Sequence, residues 1–163
     1  MSTTLRPAVP ADVSFIFDNI RGLAAAEGRP ECVTITTDRL TEILFTPGAA
    51  CRCYIIEVVG VGAVGHAWVY TLTPTFTGGR VLYLEDLYIR EDQRGRGAGR
   101  DAMALLAVIA RREGCECMDW SMVEGNTRAG AFYDRLGANR KSGSVTYRLS
   151  GPAFRALADT ARD

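Results

Sequence analysis

The run from Val81 to Arg100, VLYLEDLYIREDQRGRGAGR, constrains the fold more than any other part of the chain. Its first half is apolar and rich in β-branched and aromatic side chains, as a buried strand is. Two acids, Glu85 and Asp86, interrupt it. Gly95, Gly97 and Gly99 follow, interleaved with Arg94, Arg96 and Arg100. A helical periodicity begins at once, with Ala102, Leu105, Leu106 and Ile109 on one face. A strand, a glycine loop and a helix start form a backbone suited to phosphate. Glycine lets the chain turn tightly and lets a ligand come close to the N–H groups. The helix start adds unpaired donors and the positive end of its dipole, and the arginines add fixed charge. A Walker loop would need Gly-Lys-Ser or Gly-Lys-Thr, whereas Gly99 precedes Arg100 and Asp101. A dinucleotide fingerprint follows the first strand and meets an acid about 20 residues later. Here the loop lies past mid-chain, and Met118–Ser121 occupies that distance. A flexible arginine–glycine turn is the alternative that these residues leave open.

The 163 residues suffice for one domain spanning 1–163 with a single core. The 19 basic and 19 acidic residues cancel, so bulk charge favours neither nucleic acid nor a membrane as partner. No apolar run reaches membrane-span length and the polar start is unlike a signal peptide, so the cytoplasm is the expected compartment. The five cysteines lack Cys-x-x-Cys spacing and His66 is the single histidine, so no metal site is expected. His66 itself lies in an apolar strand pattern and reads as a packed core histidine.

Around the central run, strands are expected at Thr4–Pro7, Cys51–Val59, Ala63–Leu72, Glu116–Val123 and Ser144–Leu149. Helices are expected over Asp12–Ala26, from a cap at Thr37 or Asp38 to Pro47, from the glycine loop to Glu113, from a cap at Asn126 or Thr127 to Gly137, and over Pro152–Ala161. Gly60-Val61-Gly62 makes the second and third strands a hairpin. Hairpin strands feeding a strand–helix–strand unit predict an α/β (α+β) fold, a mixed sheet flanked by helices.

Arg94-Gly95-Arg96-Gly97-Ala98-Gly99 resembles the pyrophosphate loop of the GNAT acetyltransferases. About 30 residues on, Asn126-Thr127-Arg128-Ala129-Gly130-Ala131-Phe132-Tyr133 and Leu136-Gly137-Ala138 resemble the family's second signature. Leu82-Tyr83-Leu84-Glu85-Asp86-Leu87-Tyr88-Ile89 is similar to the core strand of the diamine (spermidine/spermine) acetyltransferases. Arg6-Pro7-Ala8, Ala11-Asp12, Leu23-Ala24, Glu27 and Glu31 echo their opening. One departure is that the family's tryptophan before the core strand is missing, with Phe76 and Thr77 near its place. The resemblance implies a GNAT fold with a mostly antiparallel twisted sheet, acetyl-CoA as cosubstrate, a small primary amine as acceptor and a homodimer.

Amine acetylation needs a neutral amine, a thioester beside it, donors for an oxyanion and a proton for the departing thiolate. Alkyl amines titrate near ~10 and arrive protonated, so a carboxylate must take a proton, directly or through water. Glu85 is the candidate, in agreement with the resemblance; its alternative is a strand acid paired with an arginine or exposed at a sheet edge. Alternation turns Asp86 to the other face, as a structural or cation-binding acid. A phenol suits a thiolate that titrates near ~8.5, and the resemblance places the general acid at Tyr133; its alternative is a core tyrosine. The resemblance also implies that Leu87 and Ile89 offer backbone to the pantetheine arm. It gives the pyrophosphate to Arg94, Gly95, Arg96, Gly97, Gly99 and Arg100, a cofactor contact to Asn126 besides its cap, and the amine pocket to Glu27 and Glu31. No cysteine falls on a motif position, which favours direct attack in a ternary complex. The rival readings are another amine, such as a protein N-terminus or an aminoglycoside, and a non-catalytic acyl-CoA-binding domain.

Overall fold

The computed structural model describes residues 2–143 and 145–161. Five strands form one sheet: β1 (Thr3–Pro7), β2 (Cys51–Val58), β3 (Gly62–Leu72), β4 (Arg80–Ile89) and β5 (Cys115–Trp120). Their spatial order follows the sequence. Neighbours are antiparallel except β4 and β5, which run parallel and so need a crossover. Helix α3 (Ala98–Arg112) supplies it. The remaining helices are α1 (Val13–Ala26), α2 (Thr37–Phe45), α4 (Thr127–Arg135) and α5 (Gly151–Ala158). The chain divides into two compact units, Met1–Gly130 and Ala131–Asp163. The first holds the sheet and α1 to α3; the second holds the end of α4, and α5.

The faces of the sheet follow from alternation. Ile16 of α1 clusters with Cys53 and Ile55 of β2, so α1 covers the face on which odd-numbered β2 residues lie. Arg52 lies on the opposite face and forms a bidentate ion pair with Glu113 at the end of α3. Helix α3 therefore packs on that other side, where its Ala102, Met103, Leu106 and Ala110 are buried. Burial of this kind contributes about 1.5–3 kcal/mol per large apolar side chain, and Ile16, Ile55, Ile56, Leu82 and Leu106 are all fully buried. Arg6 closes the start of the domain by gripping Asp12 through both terminal nitrogens, at 2.6 and 2.8 Å, and Glu57 through Nε. The guanidinium holds the Asp12 carboxyl below the usual carboxylate range.

Three expectations change. The cap of α2 is Thr36, whose hydroxyl accepts the Arg39 N–H, so the helix starts at Thr37 rather than being capped by Thr37 or Asp38. Strand β5 stops at Trp120 rather than Val123, because its pairing with β4 ends at Leu84↔Trp120. Residues 145–149 join no ladder, and Ser144 lies outside the described residues. Val145 and Tyr147 are 77% and 91% exposed there, and a lone extended segment gains neither ladder bonds nor burial. No helix of the described residues is long and apolar enough to cross a membrane.

Candidate active site

Strand β4 is paired on both sides up to Leu84 and on the β3 side alone beyond it. That change coincides with a β-bulge. Trp68 opposes Asp86 and Val69 opposes Leu84, which leaves Glu85 opposite no residue. An inserted residue resets the alternation of the strand. The contacts show the effect. Glu85 Oε2 accepts the Tyr70 hydroxyl at 3.1 Å, and Asp86 Oδ2 lies 3.8 Å from His66 Nε2. His66 and Tyr70 are four residues apart on β3 and share a face. The two acids therefore point to the same side, which corrects the expectation that Asp86 faces away. It is the α1 side: a Cβ on Gly22 of α1 would collide with the hydroxyl of Tyr88, the cross-strand partner of His66. Only glycine permits so close an approach.

Glu27 ends α1 and joins this group. Burial, and then the charge of Asp86, push its carboxyl above the usual range. Glu31 does not join it. It sits exposed on the short helical turn Pro30–Cys32, where it accepts from the Cys32 thiol. Tyr70 is a site residue that the sequence pattern does not reveal. Its ring stacks on Tyr83 at 4.9 Å. Burial and the adjoining Glu85 push its phenol up to about 12, so it remains a neutral donor to that carboxylate.

Beyond the bulge β4 also has an open edge. Arg90 donates its N–H to Val64 on β3, so by register Tyr88 and Asp86 also direct their backbone towards β3. Leu87 and Ile89 then direct theirs to the side that β5 has left. The Ile89 carbonyl on that side accepts Nε of Arg94 at 2.8 Å, and the Arg94 guanidinium lies over the Tyr88 ring at 5.2 Å. Arg94 thus braces the turn between strand and loop. Gly95 and Gly97 follow with φ of 77° and 92°, and a Cβ at either would meet nothing within 4 Å. What these positions require is a left-handed backbone and open access. The first bond of α3 runs from Asp101 N–H to the Gly97 carbonyl. Among the described residues the N–H groups of 95–100 have no acceptor. A row of free amides at a helix start, with Arg96 and Arg100 exposed beside it, is a site for an anion.

Asn126 caps α4, its Oδ1 accepting the Ala129 N–H at 3.0 Å. Tyr133 lies beyond Gly130, in the second unit, with its ring 5.2 Å from that of Phe132. Among the described residues no group of histidine, cysteine and acidic side chains is arranged to hold a metal ion.

Comparison with known proteins agrees with this geometry. Residues 20–138 match the model of the acetyltransferase (GNAT) family. Thialysine N-epsilon-acetyltransferase of Mus musculus is 30% identical over 167 residues, covering 96% of this chain and 98% of its own. A spermidine/spermine N(1)-acetyltransferase-like protein of Homo sapiens is 31% identical over 82% of this chain and 20% of its own. Among solved structures, an integron cassette protein from V. cholerae superposes with a TM-score of 0.76 at 23% identity, over 98% of this chain and 99% of that one.

Proposed function

The chain belongs to the GNAT acetyltransferase family and is an N-acetyltransferase. From that premise we propose that residues 1–163 act as one catalytic domain, which transfers acetyl from acetyl-CoA to the primary amine of a small molecule bearing a second amino group: a diamine, a polyamine or a lysine-like amino acid. The observation that carries this reading is the bulge in β4. It turns Glu85 and Asp86 to one face beside Glu27, and beyond it the β4 edge that β5 has left leads to the unbonded amides of 95–100. The names of the thialysine and spermidine/spermine relatives support the same class of acceptor.

Bound acetyl-CoA supplies an activated thioester. The amides of 95–100 hold its pyrophosphate, with Arg96 and Arg100 adding charge and Arg94 keeping the loop in place. The Leu87 and Ile89 backbone aligns the pantetheine arm, and the same edge polarises the thioester carbonyl. Asn126 sets the start of α4 and adds a polar contact. Asp86 and Glu27 bind the cationic acceptor. Glu85, oriented by Tyr70, takes the amine proton through a water, and Tyr133 protonates the leaving thiolate. The amine attacks directly. Burial pushes the Cys53 thiol up to about 12 and raises that of Cys51, so neither is a ready nucleophile.

Steady-state thiol release across an amine panel is the test. A diamine is expected to exceed a neutral-tailed monoamine of equal length in kcat/KM, and Glu27→Gln to raise diamine KM more than it lowers kcat. Equal efficiency for the two amines would remove the diamine reading. Glu85→Gln keeps the shape and removes the base. Its kcat/KM is expected to fall near neutral pH and recover in part at alkaline pH, where more amine is already neutral. A profile parallel to wild type would exclude Glu85 as the base.

The functional form is a cytoplasmic homodimer with no nucleic-acid or membrane partner. Balanced charge supports the small-molecule partner. Support for the dimer comes from Val145, Tyr147 and Leu149, large apolar side chains that alternate in the sequence and are all exposed, as they would be on a surface that a second copy covers. Sedimentation equilibrium is expected to give twice the chain mass; the mass of a single chain at assay concentration would refute it.

A further inference from the structure

His66 is fully buried, and neither ring nitrogen has a hydrogen-bond partner among the described residues. Buried polar groups are rarely left so. Its Nε2 points towards Asp86 Oδ2 at 3.8 Å, too long for a hydrogen bond but close enough for an ion pair. Among the described residues no lysine or arginine forms a salt bridge with Asp86. The other groups on this face do not take that place. Tyr88 of β4 offers a ring 6.5 Å from the imidazole. Cys53 of β2 is a buried, neutral thiol. Glu85 is engaged with Tyr70. From α1 come Asn19, buried and with its own Nδ2 unpartnered, and Glu27, which adds negative charge. Asp86 thus has two competing claimants: an imidazolium behind it, or the cation of an acceptor in front.

We propose that His66 is a positioning residue for the acceptor, which by gaining or losing a proton decides whether Asp86 is free to bind the acceptor's cation. The inference rests on the acceptor pocket proposed above. Neutral His66 leaves the charge of Asp86 to the acceptor. Protonated His66 neutralises that charge from within the sheet. Proton and acceptor therefore oppose each other, and the coupling must be reciprocal.

Both directions can be measured. The probe is butane-1,4-diamine, which keeps its charge between pH 8 and pH 6 because alkyl amines titrate near ~10. Its KM is nevertheless expected to rise about tenfold as the pH is lowered across that interval. His66→Gln should abolish the rise, while Glu27→Gln should retain it. A flat wild-type profile, or the same rise in His66→Gln, would overturn the proposal. The second arm needs neither turnover nor a variant. Because His66 is the single histidine, isotope-labelled protein gives one imidazole signal in NMR. Saturating butane-1,4-diamine without acetyl-CoA should move its titration to lower pH, and 4-aminobutanol should move it less. A signal indifferent to both amines would also overturn the proposal. If no amine on the panel is acetylated, the functional reading fails by itself, and the NMR response still decides whether His66 and a bound cation compete.

Discussion

Gly97→Val is expected to weaken acetyl-CoA binding by about 10²-fold, or about 2.7 kcal/mol, in a protein that still folds. The backbone at Gly97 has φ 92° and ψ −16°, and it provides the N-cap of α3. A β-branched residue is strained in that region by roughly 1–3 kcal/mol. The loop can then yield or hold. If it yields to negative φ, the row of amides from 95 to 100 no longer converges. If it holds, the valine side chain enters the open space from which a pyrophosphate would approach, since apart from the adjoining residues nothing lies within 4 Å of a Cβ there. Both outcomes remove the anion site, and neither disturbs the core packed around Leu82, Leu84 and Leu106. Calorimetric titration with acetyl-CoA, alongside a thermal melt, reads the two effects separately. Gly97→Ala should fall between wild type and valine. Wild-type affinity in a folded Gly97→Val protein would take the loop out of the site.

How much of this was legible in the sequence differs from element to element. The β4–loop–α3 unit was, because each part carries its own local signal: β-branched residues, glycines at left-handed positions, and a 3.6-residue period. Gly22 carried no visible reason inside α1, where glycine costs about 1 kcal/mol against alanine. The reason is Tyr88, far away in the chain on β4, whose ring presses against the helix backbone at that point. The cap of α2 lies one or two residues before the expected Thr37 or Asp38, because Thr36, Thr37 and Asp38 are all competent caps. The choice falls to burial of Leu40, a tertiary event.

The site was half legible. Glu85 and the glycine loop stand out as residue types, but their geometry depends on a bulge that nothing in Leu84-Glu85-Asp86 announces. A strand read by alternation sends Asp86 to the wrong face. The same omission hid Tyr70, whose contact with Glu85 exists only once β3 and β4 are in their shifted register. It also hid His66 as anything beyond a core residue. The stretch 145–149 fails for a different reason: alternation there is clear, but a strand is a property of a pair, and a pattern in one segment cannot supply the second member.

Tyr133→Phe is expected to lower kcat by about 10²-fold or more, the scale of general acid catalysis, with little change in the amine KM. The substitution deletes one hydroxyl and keeps the ring that packs beside Phe132, so α4 and its Asn126 cap should persist. In the proposed role the hydroxyl would act late in the reaction, when the carbon–sulfur bond breaks and the thiolate departs. Its contribution is therefore made in the transition state and not in the ground-state complex, which is why kcat should move and KM should not. The pH dependence adds a sign. A thiolate titrates near ~8.5, so it needs an external proton less as pH rises through that value, and the deficit of the variant should narrow at alkaline pH. Glu85→Gln also recovers at high pH, but through the amine, and the two are distinguished by a more acidic leaving group. An acyl donor with a lower thiol pKa should rescue Tyr133→Phe and leave Glu85→Gln unchanged. A kcat within a factor of about two of wild type with acetyl-CoA would return Tyr133 to a packing role and leave the thiolate to be protonated by solvent.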